Sequence, residues 1–129
     1  MVMNNSTSGM LARVSAALLG VAGLSLLFAA DVLLPRIAAG LSPEASWFGQ
    51  LLATAWLGVA TLNWLTRSSV LGGIYGRPIV LANATLYFVS AMVLVNAAMR
   101  AGSLALTVAA LAAAAMATLY GWLLFRGPR

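Results

Sequence analysis

The chain has 129 residues, 63% of them apolar and only 7% charged, with a net charge of +5 and neither cysteine nor histidine. Roughly a quarter of a soluble domain's residues are charged, so this chain lacks the side chains to cover a water-facing surface. Without cysteine there is no disulfide, thiolate metal site or lipoprotein anchor; without histidine the commonest acid–base group and metal ligand is missing.

The N-terminal "MVMNNSTSGM", residues 1–10, is polar and short, and is expected to form a disordered tail. The remainder, 11–129, reads as a single transmembrane domain. A helix needs about 20 mainly apolar residues to cross the hydrocarbon core, and four segments qualify: about 14–34, 47–66, 78–98 and 104–125. Their long apolar runs lack the strict alternation of barrel strands, so they predict helices. The first resembles a signal peptide in having Arg13 ahead of an apolar run. However, cleavage after Ala30 would place Phe28 where a small residue is needed, and the run resumes with "VLL", so a retained helix is expected. The fold class predicted is all-α, an integral membrane protein built as an antiparallel four-helix bundle with short connections.

All seven basic residues are arginines, scattered singly along the chain and not gathered in a stripe. That pattern encodes topology better than nucleic-acid binding. With the N-terminus inside, Arg13, Arg67, Arg77, Arg126 and Arg129 fall on the cytoplasmic side, against Arg36 and Arg100 outside. The excess predicts cytoplasmic termini. Trp47 and Phe48 at one end of the second helix, with Trp64 and Trp122 near the opposite ends of theirs, suit the interfacial preference of amphipathic rings.

Apolar side chains gain little from one another in lipid, so the seams should lie at small residues. Ala16, Gly20 and Gly23 are candidates on the first helix, Thr54, Gly58 and Thr61 on the second, and "LAAAAMA" (residues 111–117) on the fourth. Asp31 follows Gly20 by eleven residues and so returns to the same helical face. Taking Gly20 as a packing residue places Asp31 toward the packed side. Gln50 and Asn96 share its predicted depth, which defines a candidate ligand or coupling cluster of Asp31, Gln50 and Asn96. The competing reading is interfacial, with Asp31 hydrated or paired to Arg36 across Pro35. A second polar level, Asn63, Asn83, Tyr87 and Tyr120, reads as inter-helix hydrogen bonding.

The stretch "RSSVLGGIYGRPIVLAN", residues 67–83, joins the second and third helices. It carries neither a phosphate-binding Gly-Lys-Ser/Thr nor a dinucleotide fingerprint. Gly72 and Gly73 suit a tight reversal, and Pro78 suits the first turn of a helix. Arg67, Tyr75 and Arg77 form a candidate anionic headgroup site beside the start of the third helix. The same residues also serve a plain positively charged turn. "NWLTRSSVLGGIYGRPIVLAN", together with the earlier "LLP" and "WFGQLL", resembles a group of small bacterial four-span membrane proteins without assigned function. The resemblance covers the first three helices and is most specific at "GGIYGRP". It implies a four-span inner-membrane architecture and no activity. The chain is unlike the small multidrug transporters, which carry a glutamate inside the first helix, and unlike the fluoride channels.

With Asp31 and Glu44 its only carboxylate side chains, the chain lacks the acid–base pairs and ligand sets of an enzyme, and no catalytic residue, metal or cofactor is expected. The expected role is a non-enzymatic interaction, structural or lipid-associated module of the bacterial inner membrane. Its expected partners are the bilayer and its anionic phospholipid, a second copy, or another membrane protein. The alternative is a small oligomeric carrier or channel with Asp31 as coupling carboxylate.

Overall fold

The computed structural model describes residues 2–37, 40, 46–67 and 77–126. Four α-helices follow in order: α1 (Val2–Ile37), α2 (Ser46–Leu65), α3 (Arg77–Ala101) and α4 (Leu104–Arg126). The described residues are all-helical apart from turns. The four predicted segments therefore all fall on helices, with α3 and α4 starting within a residue of expectation.

The exception lies at the N-terminus. Residues 2–10, expected as a disordered tail, continue α1 as helix. Asn, Ser and Thr are poor helix formers only by tenths of a kcal/mol up to about 0.7, and lengthening an existing helix avoids the cost of nucleation. A further contact holds this segment. Gly9 is buried, and a Cβ on it would stand 2.7 Å from the carbonyl oxygen of Arg67.

Three helices are long and apolar enough to cross a membrane: α1 over Gly9–Arg36, α3, and α4 over Leu104–Phe125, with mean hydropathies of 2.2, 1.9 and 1.9. Only 22% of the apolar stretch of each is buried. Large side chains stand exposed all along them, Phe28, Met99, Leu104 and Phe125 among them. α2, with 20 residues, also has the length, about 30 Å. Gln50, Asn63 and three tryptophans interrupt its apolar run, and it does not reach the hydropathy of the other three.

The chain divides into two compact units, Arg13–Leu65 and Met1–Ala12 with Thr66–Arg129. In the first, α1 and α2 form an antiparallel pair. Ser15 meets Asn63, Gly23 lies against Leu57, and Gly49 lies against Leu34, so the register runs in opposite directions. The buried stripe of α1 is Ser15, Ala16, Leu19, Gly23, Leu26 and Ala30, at the three- and four-residue spacing of one helical face. That of α2 is Gly49, Ala53, Ala60 and Asn63. Leu26, Ala30 and Ala53 form a small core, with Leu27, Leu34 and Trp56 packed around it.

This geometry corrects two predicted seams. Gly20 is not a packing glycine: it is half-buried, and a Cβ there would meet nothing within 4 Å. Thr54, Gly58 and Thr61 are all exposed. The two threonine hydroxyls donate to their own helix, Thr54 to the Leu51 carbonyl (2.6 Å) and Thr61 to the Leu57 carbonyl (2.8 Å). An i−3 or i−4 carbonyl satisfies the hydroxyl and frees threonine from needing a partner helix. Small residues were therefore an ambiguous signal, and Ala53 and Ala60 carry the seam instead.

α1 is not straight. Ala29 has φ −127° and ψ 26°, outside the helical range, and Pro35 lies within the last turn. Proline has no N–H to bond the i−4 carbonyl, and its ring crowds that carbonyl. Here the i−4 residue is Asp31.

In the second unit α3 and α4 pack antiparallel. Val80, Asn83, Tyr87 and Ala91 are the buried positions of α3; Leu106, Ala110, Ala113, Met116 and Tyr120 are those of α4. The connection is short because both ends are capped. Gly102 adopts φ +63° and its amide bonds the Ala98 carbonyl at 2.8 Å, a left-handed helix end that suits glycine. The Ser103 hydroxyl then accepts from the Leu106 amide at 3.4 Å, as an N-cap residue does.

Candidate functional site

Of the predicted cluster, Asp31 and Gln50 lie in one compact unit and Asn96 in the other, and Asp31 was expected on the packed face of α1. Asp31 is exposed and makes no hydrogen bond or ion pair among the described residues. The expectation failed because it followed Gly20. The packed stripe runs through Gly23 and Ala30, and Asp31, one residue beyond Ala30, turns away from it. Gln50 is exposed as well, and its side-chain amide donates to the Leu27 carbonyl at 3.4 Å. Asn96 belongs to the other compact unit, where it lines a groove on α3.

Asp31 also has a definite place along α1. Val14–Ala30 is uncharged and lies between Arg13 and Asp31. At 1.5 Å per residue, those two charges are separated by roughly 27 Å of helix axis, close to the hydrocarbon thickness of about 30 Å. The structure therefore leaves the carboxylate exposed at the end of the uncharged Val14–Ala30 run, within the longer apolar span Gly9–Arg36.

Of the predicted headgroup site, Arg77 is the exposed first residue of α3, and Arg67 is half-buried in the turn after α2. Tyr75, Gly72 and Gly73 lie outside the described residues. The feature of Arg67 that sequence reasoning missed is its backbone. Its carbonyl is the group closely approached by Gly9, so the first turns of α1 rest on the turn that follows the second helix. A glycine within a polar segment was the only signal.

The second polar level is where buried polar groups are found. In the first unit, Asn63 Nδ2 donates to Ser15 Oγ at 2.8 Å, and both residues are fully buried. In the second, Asn83 is fully buried and donates to the Ile79 carbonyl of its own helix at 2.9 Å. Tyr87 and Tyr120 are buried with their rings stacked, centroids 5.8 Å apart and planes at 16°. Asn63, Asn83, Tyr87 and Tyr120 are all buried; the Asn63–Ser15 bond joins two helices, as expected of this level, whereas the Asn83 bond to Ile79 is within α3, and Ser15 went unnoticed in an apolar run.

One concave feature lies on the second unit alone. An open groove of about 580 Å³ runs along α3 and α4. Phe88, Met92 and Met99 of α3 rise along it, while Ala91, Ala114 and Ala117 supply small positions. Asn96 and Thr118 are its polar members. The Thr118 hydroxyl donates to the Ala114 carbonyl at 2.8 Å, leaving the groove chiefly apolar. A second, smaller hollow of about 240 Å³ adjoins it through Val95, Met99 and Ala114.

These features define an all-helical protein with three helices able to cross a membrane by length and composition, small-residue seams, and exposed apolar faces. No family model matches the sequence, and no curated protein or solved structure is similar to it.

Proposed function

We propose that the chain is a small integral protein of the bacterial inner membrane, with four spans in an antiparallel bundle and both termini cytoplasmic. α2 serves as the fourth span: its stacked Trp47 and Phe48 rings, 3.8 Å apart, lie at one end and Trp64 at the other, as interfacial anchors do. Its role is that of a non-enzymatic interaction, structural or lipid-associated module, engaging the bilayer, a second copy or a membrane partner. The observation that supports this reading is the exposure of large apolar side chains along every helix: Val21 68%, Leu51 62%, Val93 62% and Leu111 66%. Exposing so much apolar surface to water is unfavourable by about 25 cal/mol per Å², whereas lipid accepts it freely. The bacterial assignment follows from the resemblance at "GGIYGRP".

Two measurements test the proposal. The protein should stay in the membrane pellet through an alkaline carbonate wash; release into the supernatant would sink the integral-membrane reading. Native mass spectrometry after gentle extraction should then report retained phospholipid, a homo-oligomer or a partner chain. Bare monomer under all mild conditions would remove the module reading.

A further inference from the structure

We propose that the groove on α3 and α4 holds one acyl chain of an anionic phospholipid, with the lipid phosphate engaged by Arg100. The inference rests on the membrane reading above and goes beyond it by naming a ligand and a site.

Length suits the occupant. The groove extends along α3 from Phe88 to Met99, which is roughly 16 Å of helix axis. An extended hydrocarbon chain can lie along that length of the open groove, with a second copy's helix as the competing occupant that the test below separates. The lining matches a hydrocarbon chain. Ala91, Ala114 and Ala117 offer methyl groups, and Phe88, Met92 and Met99 stand 60%, 61% and 77% exposed. Methionine is unbranched and adapts to irregular apolar shapes.

Charge selects the headgroup. Asn96 and Met99 line one end of the groove. Arg100 follows Met99 directly and stands one helical turn beyond Asn96, at the end of the apolar stretch of α3. It is exposed and makes no hydrogen bond or ion pair among the described residues. A guanidinium recognises phosphate oxygens through paired N–H donors. A chain seated between Phe88 and Met99 therefore brings its phosphate to Arg100, the cation at that end of α3. This site lies at the opposite end of α3 from Arg77.

The test is a native mass-spectrometry titration of the full chain in neutral detergent with phosphatidylglycerol or phosphatidylcholine carrying the same acyl chains. Wild type should retain one phosphatidylglycerol in preference to phosphatidylcholine. Arg100→Gln should lose about fivefold in that preference, the effect of one charge at an anionic surface, and Arg100→Lys should keep most of it. Ala114→Leu and Ala117→Leu each fill the groove and should weaken retention of both lipids. Helical circular dichroism and detergent melting identify any variant that fails to fold, leaving the other to decide. Equal retention of the two lipids by wild type overturns the headgroup assignment. Unchanged retention in both folded alanine variants overturns the groove. A dimer that forms without lipid and is lost in those variants makes the groove an interface between copies, and also overturns the proposal. Release of the protein by carbonate would instead refute the membrane reading, so the two failures are distinguishable.

Discussion

Asn63 and Ser15, 48 residues apart in sequence, meet through a fully buried hydrogen bond of 2.8 Å from Nδ2 to Oγ. The bond joins α1 to α2 near Arg13, where this compact unit begins, while Gly49 against Leu34 closes the opposite end of the pair. A polar contact at one end and close packing at the other set the register of the pair.

A double-mutant cycle on Ser15→Ala and Asn63→Ala should show coupling of about 0.6 kcal/mol, and no more than roughly 1.7, in line with polar contacts between membrane helices. Reversible unfolding in mixed micelles measures it. Strict additivity of the two substitutions would show that the bond contributes nothing to the pairing.

The glycines of this unit should divide in two groups. At Gly23 an added Cβ would come within 2.9 Å of Leu57 Cγ and 3.3 Å of the Ala53 carbonyl oxygen, so Gly23→Ala should destabilise by about 1–3 kcal/mol, as overpacking does. Gly49→Ala should be milder, because its nearest neighbour is Leu34 Cδ1 at 2.9 Å, the movable end of a side chain. Gly20 and Gly58 face open space, and their alanine variants should gain up to about 1 kcal/mol of helix stability. Thermal melts of the four variants give the ranking; equal effects of Gly20→Ala and Gly23→Ala would contradict the seam.

Asp31→Asn should leave stability within about 0.5 kcal/mol of wild type, since the exposed carboxylate has no partner among the described residues to lose. A carrier that uses Asp31 for coupling requires more. In proteoliposomes, the same substitution would have to abolish pH-dependent transport without changing the melt. Full transport activity in the variant eliminates that mechanism.

Topology can be read with single cysteines, because the chain contains none. Ser42→Cys should react with an impermeant maleimide in spheroplasts, and Ser6→Cys and Ser69→Cys only after lysis. Labelling of Ser69→Cys from outside would overturn the orientation proposed from the arginines.

The headgroup reading at the α2–α3 connection requires the two arginines to differ. If a phosphate binds at the start of α3, Arg77→Gln should lose bound anionic lipid while Arg67→Gln keeps it. Equal losses, fading together at high salt, would leave only an ordinary positively charged turn.

The sequence by itself determined the four helices and the exposure of their apolar faces. These depend on run length and composition, which are local properties. It also marked Asn63, Asn83, Tyr87 and Tyr120 as a level of inter-helix polar contacts, because polar groups on apolar helices are driven toward protein partners; the Asn63–Ser15 bond is such a contact. The tertiary structure decided which small residues form the seams. Gly20, Gly23, Gly58 and Ala60 look equivalent in a chain rich in alanine and glycine; only the rotation of each helix about its axis separates them, and that is set by the packing of the pair. The same rotation leaves Asp31 exposed, off the packed stripe of α1. Three-dimensional contacts also produced the close approach of Gly9 to Arg67 and the groove on α3 and α4, since both need atoms distant in sequence to be placed within a few ångströms.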